Sequence, residues 1–191
     1  MKNKKYEFLA ALAIMLLATH SVAGDKMSNA KPVPEPTQII KDLRQKVLSL
    51  SPGDIGLTQP KDGSTVWGIL METGYPGGLA TLIVLADGTT SLYFGHGGGI
   101  IGAGEHDSVR TASMRFLAVA EQYQKALEPT KSFPYPHVGT VRFYVLTFSG
   151  PLTAAADEND LGNRTHALSN LFYAGHEVLT ELRHIDEKKE K

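Results

Sequence analysis

The chain of 191 residues contains no cysteine, and that absence excludes several kinds of chemistry. Without thiols no disulfide can form, so packing and hydrogen bonding alone must stabilise the fold. A cysteine nucleophile, a cysteine-ligated metal and a lipid attached to an N-terminal cysteine are excluded for the same reason.

The chain also has no excess of charge of either sign, because 19 Lys and Arg nearly balance 20 Asp and Glu. Nucleic-acid binding requires a concentrated basic patch, so we expect no nucleic-acid partner. Long apolar runs are missing except for the eleven residues 8–18, and a bilayer span needs about 20. We therefore predict no stable membrane span in the mature chain.

The N-terminus has the pattern of a secretory signal peptide. Three lysines lie within the first five residues, the apolar run follows, and the small residues Ser21 and Ala23 occupy the positions that signal peptidase reads. We predict a signal peptide over residues 1–23, with cleavage after Ala23. The mature chain is then exported to the periplasm or secreted.

The rest of the chain is the length of one domain. Alternating Pro32, Pro34 and Pro36 predict a Pro-rich extended tether over residues 24–36. A single α+β domain is predicted over residues 37–186, followed by a charged tail at 187–191.

Apolar periodicity predicts three helices, over residues 38–50, 105–127 and 165–185. In the first of them the apolar residues Ile39, Leu43, Val47 and Leu50 recur at helical spacing. Runs of β-forming residues predict five strands, over residues 65–72, 79–86, 89–94, 140–148 and 152–156.

The pair Asp87-Gly88 joins the second and third predicted strands, which indicates a hairpin with a type I′ turn. After one N-terminal helix, the element order is β-β-β-α-β-β-α. We therefore predict an antiparallel sheet of about five strands, with helices mainly on one face.

Residues 95–104 contain six glycines and invite two motif interpretations. Gly97, Gly99 and Gly102 match the spacing G-x-G-x-x-G of dinucleotide-binding folds, but that fingerprint requires a parallel β-α-β unit and not a hairpin. Glu105 and Asp107 would also repel a phosphate at the start of the following helix. Nucleotide binding is therefore disfavoured.

The same segment also contains His-Gly-Gly-Gly at 96–99, which is similar to the oxyanion segment of one esterase family. Those enzymes also need a G-x-S-x-G nucleophile elbow, and no serine here has that flanking. The segment "HEVLT" at His176 likewise fails as a zinc motif, because Thr180 stands where the second histidine belongs.

One metal cluster is conceivable if the glycine-rich turn brings four side chains together. Those weak candidate ligands are His96, Glu105, His106 and Asp107. They define an alternative function, a small hydrolase or metal-dependent enzyme. No complete catalytic set supports it, so we expect no cofactor.

The six glycines exceed what one turn needs, which indicates either a mobile loop or a backbone that contacts a partner closely. Aromatic residues in Pro- and Gly-containing loops are good contact anchors for a protein partner. We therefore predict a non-enzymatic, exported, protein-binding domain, such as an envelope assembly component or a toxin-neutralising protein. The predicted contact residues are His96, Gly97, Gly98, Gly99, Tyr75 and Tyr135.

A resemblance is carried by three blocks of the chain: "WGILMETGYPGGLATLIVLADGTTSLYFGHGGGIIGAGEH", "VRFYVLTFSGPLT" and "LSNLFYAGHEVLTELR". Through them, residues 66–183 resemble a set of small bacterial proteins without an assigned activity. The resemblance therefore transfers no site residue. The element order is also similar to that of profilin-like and roadblock/longin domains, which implies a binding platform only by analogy of fold.

Overall fold

The computed structural model describes residues 31–59, 61 and 65–189. The predicted signal peptide and the first part of the predicted tether, residues 24–30, lie outside these residues. Within the described ranges, no helix is both long enough and apolar enough to cross a membrane.

The domain is built on one antiparallel sheet of seven strands, in the order β4-β3-β2-β1-β6-β7-β5. The first four strands are β1 Val66–Tyr75, β2 Gly78–Leu85, β3 Thr90–Phe94 and β4 Gly99–Ile100. The other three are β5 Glu128–Pro129, β6 Thr140–Thr147 and β7 Gly150–Asp157. The expectation of about five strands is wrong because β4 and β5 have only two residues each, too few to produce a periodic pattern.

Four helices accompany the sheet and confirm the α+β class: α1 Gln38–Leu48, α2 Asp107–Tyr123, α3 Glu158–Gly162 and α4 Ser169–Lys189. The short α3 is not among the three helices that apolar periodicity predicts. Its N-cap is Asp157, whose Oδ1 accepts from the backbone N–H groups of Asn159 at 2.9 Å and Asp160 at 3.3 Å. The last helix continues into the predicted charged tail and ends at Lys189.

The two faces of the sheet carry separate cores because side chains alternate along each strand. In β1, Ile69 and Met71 belong to the larger core, which α2 and α4 cover. Leu70 belongs to a smaller core on the opposite face, where α1 contributes Ile40 and Leu48. We call this second side the α1 face.

The turn between β2 and β3 differs from the predicted type I′ turn. The two strands pair antiparallel as expected, but the loop has three residues, 86–88. The N–H of Gly88 donates to the carbonyl of Leu85 at 3.1 Å, and only Gly88, with φ of 95°, is left-handed in this loop. This is the type I turn followed by a left-handed residue, the second common hairpin solution.

Part of the predicted tether lies against the folded domain. The N–H of Val138 donates to the carbonyl of Lys31 at 2.9 Å, and Pro32 forms a β-bridge with His137. Pro36 is buried, and the N–H of Thr37 then donates to Gly95 at 2.8 Å. Residues 31–36 therefore run along the domain and do not extend away from it.

Candidate functional site

The glycine-rich stretch divides between the two ends of β3. Residues 95–98 form the turn from β3 into β4, where the N–H of Gly97 donates to the carbonyl of Phe94 at 2.8 Å. Residues 102–105 lie near the opposite end of β3, beside the β2–β3 turn, and lead into α2.

The surplus of glycine inferred from the sequence is explained by backbone geometry. A Cβ on Gly104 would overlap the carbonyl oxygen of Gly88, and one on Gly99 would overlap that of Leu92. The remaining glycines of the stretch occupy left-handed backbone or a tight contact with β2: Gly97, Gly98, Gly102 and Gly95. The glycine count therefore no longer argues by itself for a function.

The four candidate metal ligands do not come together. His96 lies in the β3–β4 turn, with its ring stacked 5.9 Å from that of Phe94. Glu105, His106 and Asp107 follow Gly104 at the other end of β3, five residues away at about 3.3 Å each. In the part of the chain that the structure describes, no group of three or more His, Asp or Glu is placed to hold a metal ion. The condition for the alternative metal cluster, that the glycine-rich turn brings these four side chains together, is not met.

Tyr75 and Tyr135, the two predicted aromatic contacts, lie on opposite faces of the sheet. Tyr75 ends β1 and packs against the larger core, and burial raises the pKa of its hydroxyl to about 12. Tyr135 lies over Arg44 on the α1 face. The two rings therefore do not form one contact surface.

The α1 face contains a buried ion pair that the sequence analysis did not identify. Arg44 of α1 donates from Nε to Oε1 of Glu72 at 2.6 Å and from Nη2 to Oε2 at 2.8 Å. Both residues are buried, with 5% and 0% exposed, and the hydroxyl of Thr81 donates to Oε1 at 3.1 Å. Burial opposes the charge of Arg44, but the hydrogen bonds and charge of Glu72 outweigh it, so the pKa of Arg44 is raised.

A Pro-rich segment, residues 132–137, crosses this face, and we call it the aromatic loop. The ring centroid of Tyr135 lies 4.4 Å from Cζ of Arg44, which is a cation–π contact. The hydroxyl of Tyr144 donates to the carbonyl of Pro134 at 2.6 Å, and that of Thr140 donates to the carbonyl of His137 at 2.9 Å. The aromatic loop is thus bonded to β6 at two places.

The charged groups of the ion pair and the hydroxyl of Tyr144 already have partners within the domain. Both oxygens of Glu72 accept from Arg44, and the burial that surrounds Tyr144 raises the pKa of its hydroxyl to about 12. A buried, bidentate pair of this kind positions α1 and the aromatic loop on the sheet.

Apolar exposure marks a different place. In the described ranges, three large apolar side chains are exposed: Ile39 at 72%, Ile101 at 71% and Met114 at 50%. Ile39 follows Thr37, whose N–H is bonded to Gly95, and Ile101 directly follows β4. Ile39 is thus close in sequence to the segment bonded to the start of the β3–β4 turn, and Ile101 lies beyond the two residues of β4. We call Ile39, His96, Gly97, Gly98 and Ile101 the hairpin surface.

Comparisons with known proteins find no family model that matches this chain. Neither a curated protein nor a solved structure matches it. The fold and its sites are accordingly interpreted from the residues of this chain alone.

Proposed function

We propose that this chain is an exported, non-enzymatic domain that binds another protein through the hairpin surface. The observation that carries the proposal is the exposure of Ile39 at 72% and Ile101 at 71%, in the two chain segments that adjoin the β3–β4 hairpin. Exposed apolar surface of this kind can be buried by a partner.

The β3–β4 turn favours close approach of a partner. Cβ atoms built on Gly97 and Gly98 would meet nothing within 4 Å, so the backbone there is bordered by open space. A partner can therefore approach the backbone of this turn, where the N–H of Gly97 and the carbonyl of Gly98 are already bonded to Phe94. Burying each exposed isoleucine contributes roughly 1–2 kcal/mol to association.

Gly99, Tyr75 and Tyr135 leave the predicted contact set under this proposal. Gly99 belongs to β4, and the rings of Tyr75 and Tyr135 pack on the larger core and on Arg44. Their positions are accounted for by packing within the domain.

Site-specific photocross-linking in the producing cells tests the proposal. A photoreactive amino acid replaces Ile39, Gly98 or Ile101 in turn, and Met114 on α2 serves as the matched exposed apolar control. We expect one reproducible protein adduct from the hairpin positions and none from Met114. Equal adducts from Met114, or none from the three hairpin positions, would contradict it.

The adduct also identifies the partner by mass spectrometry, which separates an envelope assembly component from a neutralised toxin. As a quantitative check, Ile101→Glu is expected to reduce the adduct formed at Gly98, whereas Met114→Glu leaves it unchanged.

Export is part of the proposal and is supported by the basic start, the short apolar run and the small residues before position 24. Intact-mass measurement of the envelope or medium fraction tests it. A mass that begins at Gly24 is expected, and an exported chain that retains residues 1–23 would contradict it.

A further inference from the structure

We propose that Arg142 is the centre of a binding site for a small anion beneath the aromatic loop. Arg142 lies in the middle of β6, where its neighbours in the sheet are Glu72 on β1 and Ala155 on β7. It alternates with core residues Val141 and Phe143, so its side chain is on the α1 face. The site uses other residues than the hairpin surface and does not depend on the function proposed above.

The carboxylate beside Arg142 is already engaged. Glu72 accepts two hydrogen bonds from Arg44 and one from Thr81, whereas Arg142 forms no ion pair with it within 4.0 Å. Along β7, Asp157 directs Oδ1 to two backbone N–H groups at the start of α3. The charge of Glu72 is therefore matched by Arg44, and among the described residues Arg142 forms no ion pair within 4.0 Å.

The guanidinium of Arg142 is also partly withdrawn from water. Its Nε is shielded from solvent and has no hydrogen-bond partner among the residues that the structure describes. A buried donor on a charged group that lacks an acceptor is costly. An anion that accepts from Nε would remove that cost, so the position favours an anionic ligand.

The aromatic loop is bonded on both sides of Arg142 along β6, and towards β7 the neighbour of Arg142 is small. The aromatic loop is bonded to Thr140 and Tyr144, which precede and follow Arg142 on the same face of β6, so the loop crosses above it. Towards β7 the neighbour is Ala155, which has only a methyl group. β5 pairs with β7 only at residues 152 and 153, so among the described residues no strand lies beyond Ala155. Access is therefore from this edge of the sheet.

The geometry of the donor selects the ligand chemistry. A guanidinium presents Nε and one Nη as a planar fork that matches two oxygens on a single carbon or phosphorus atom. The expected ligand is a small molecule that carries a carboxylate or phosphate group, whose two oxygens accept from this fork. Free phosphate and free acetate are the simplest probes for these two groups.

Nuclear magnetic resonance of the purified protein tests the site directly. The Nε–Hε resonance of Arg142 is followed while phosphate or acetate replaces chloride at constant ionic strength. We expect a saturable shift with one or both anions, and the stronger of the two identifies the ligand class. The absence of a saturable shift with either anion would overturn the proposal, even without any variant.

A thermal-shift series with two variants tests whether the anion binds at Arg142 and not elsewhere. The anion-dependent rise in Tm gives an apparent affinity. In Arg142→Met this affinity should fall by about tenfold or more, because the charge-assisted pair is lost. Arg115→Met, which removes an arginine of α2 that is 69% exposed, should keep the rise. An equal rise in both variants would show that the anion acts elsewhere and would refute the site.

Discussion

Replacing Glu72 with glutamine tests the buried ion pair most sharply. The substitution keeps the size of the side chain but leaves the guanidinium of Arg44, 5% exposed, without its counter-ion. Breaking one side of a buried ion pair costs about 3–5 kcal/mol, because the remaining charge stays desolvated. The two hydrogen bonds between Arg44 and Glu72, at 2.6 Å and 2.8 Å, give this ion pair favourable geometry.

That loss is large compared with a total stability of about 5–15 kcal/mol for a domain. For a chain of this size it corresponds to a fall in Tm of roughly 6–20 °C. Urea denaturation followed by circular dichroism measures the loss as a lower midpoint with an unchanged slope. Glu177→Gln is the matched control, since its carboxylate lies 3.8 Å from an exposed arginine, and it should change stability by less than about 0.5 kcal/mol.

A second variant separates charge from packing. Arg44→Met with Glu72→Leu replaces both charges by apolar groups, and it should recover most of the stability that Glu72→Gln loses. If Glu72→Gln costs less than about 1 kcal/mol, the reasoning about buried charge is wrong. If the double variant is as unstable as the single one, packing and not charge controls this contact.

Three further predictions follow from local geometry. Gly104→Ala should cost about 1–3 kcal/mol in urea denaturation, because the new methyl group overlaps the Gly88 carbonyl, and a neutral result would contradict that contact. Asp157→Ala should cost about 1 kcal/mol by the same measurement, since α3 loses its N-cap, and Asp157→Asn should retain most of it. Burial lowers the pKa of His176 to about 4, so the unfolded chain, with its ordinary value near 6.5, takes up the proton first as pH falls. Stability should therefore drop by roughly 2 kcal/mol between pH 7 and pH 5, and a His176→Leu variant with the same drop would refute this cause.

The five longer strands were predictable because they carry dense runs of β-forming residues between clear turn signals. The two short strands were not, because a two-residue strand is defined by its partner and not by its own sequence. β4 exists only because the chain returns beside Leu92 and Tyr93 after the turn. β5 exists only because residues 128–129 meet β7.

The face of α1 shows why the ion pair was missed. The apolar spacing of Ile39, Leu43 and Val47 suggested one buried stripe, yet Ile39 is 72% exposed. The helix instead buries Ile40, Arg44 and Leu48, a stripe with a charge at its centre. Only the carboxylate 28 residues away makes that orientation favourable, and such a long-range pairing leaves no local signal.

The excess of glycine inferred for residues 95–104 has a related explanation. Counting glycines along the chain suggests excess, but the need for Gly104 arises from Gly88, which is distant in sequence and adjacent in space. The same holds for the four candidate metal ligands, which are close in sequence but are separated by the length of β3.

The central position of β1 has a consequence for the order in which the protein can fold. β1 pairs on one edge with β2, through a two-residue turn. Its other edge pairs with β6, which comes much later in the chain, and there Val66 lies opposite Thr147. Until that later segment has been synthesised, the half-formed sheet presents an apolar strand with unpaired backbone groups, which is a template for aggregation. Distant pairing of this kind also slows folding. A chain cut short after α2 should therefore aggregate, while the complete chain closes its sheet only when β6 inserts beside β1.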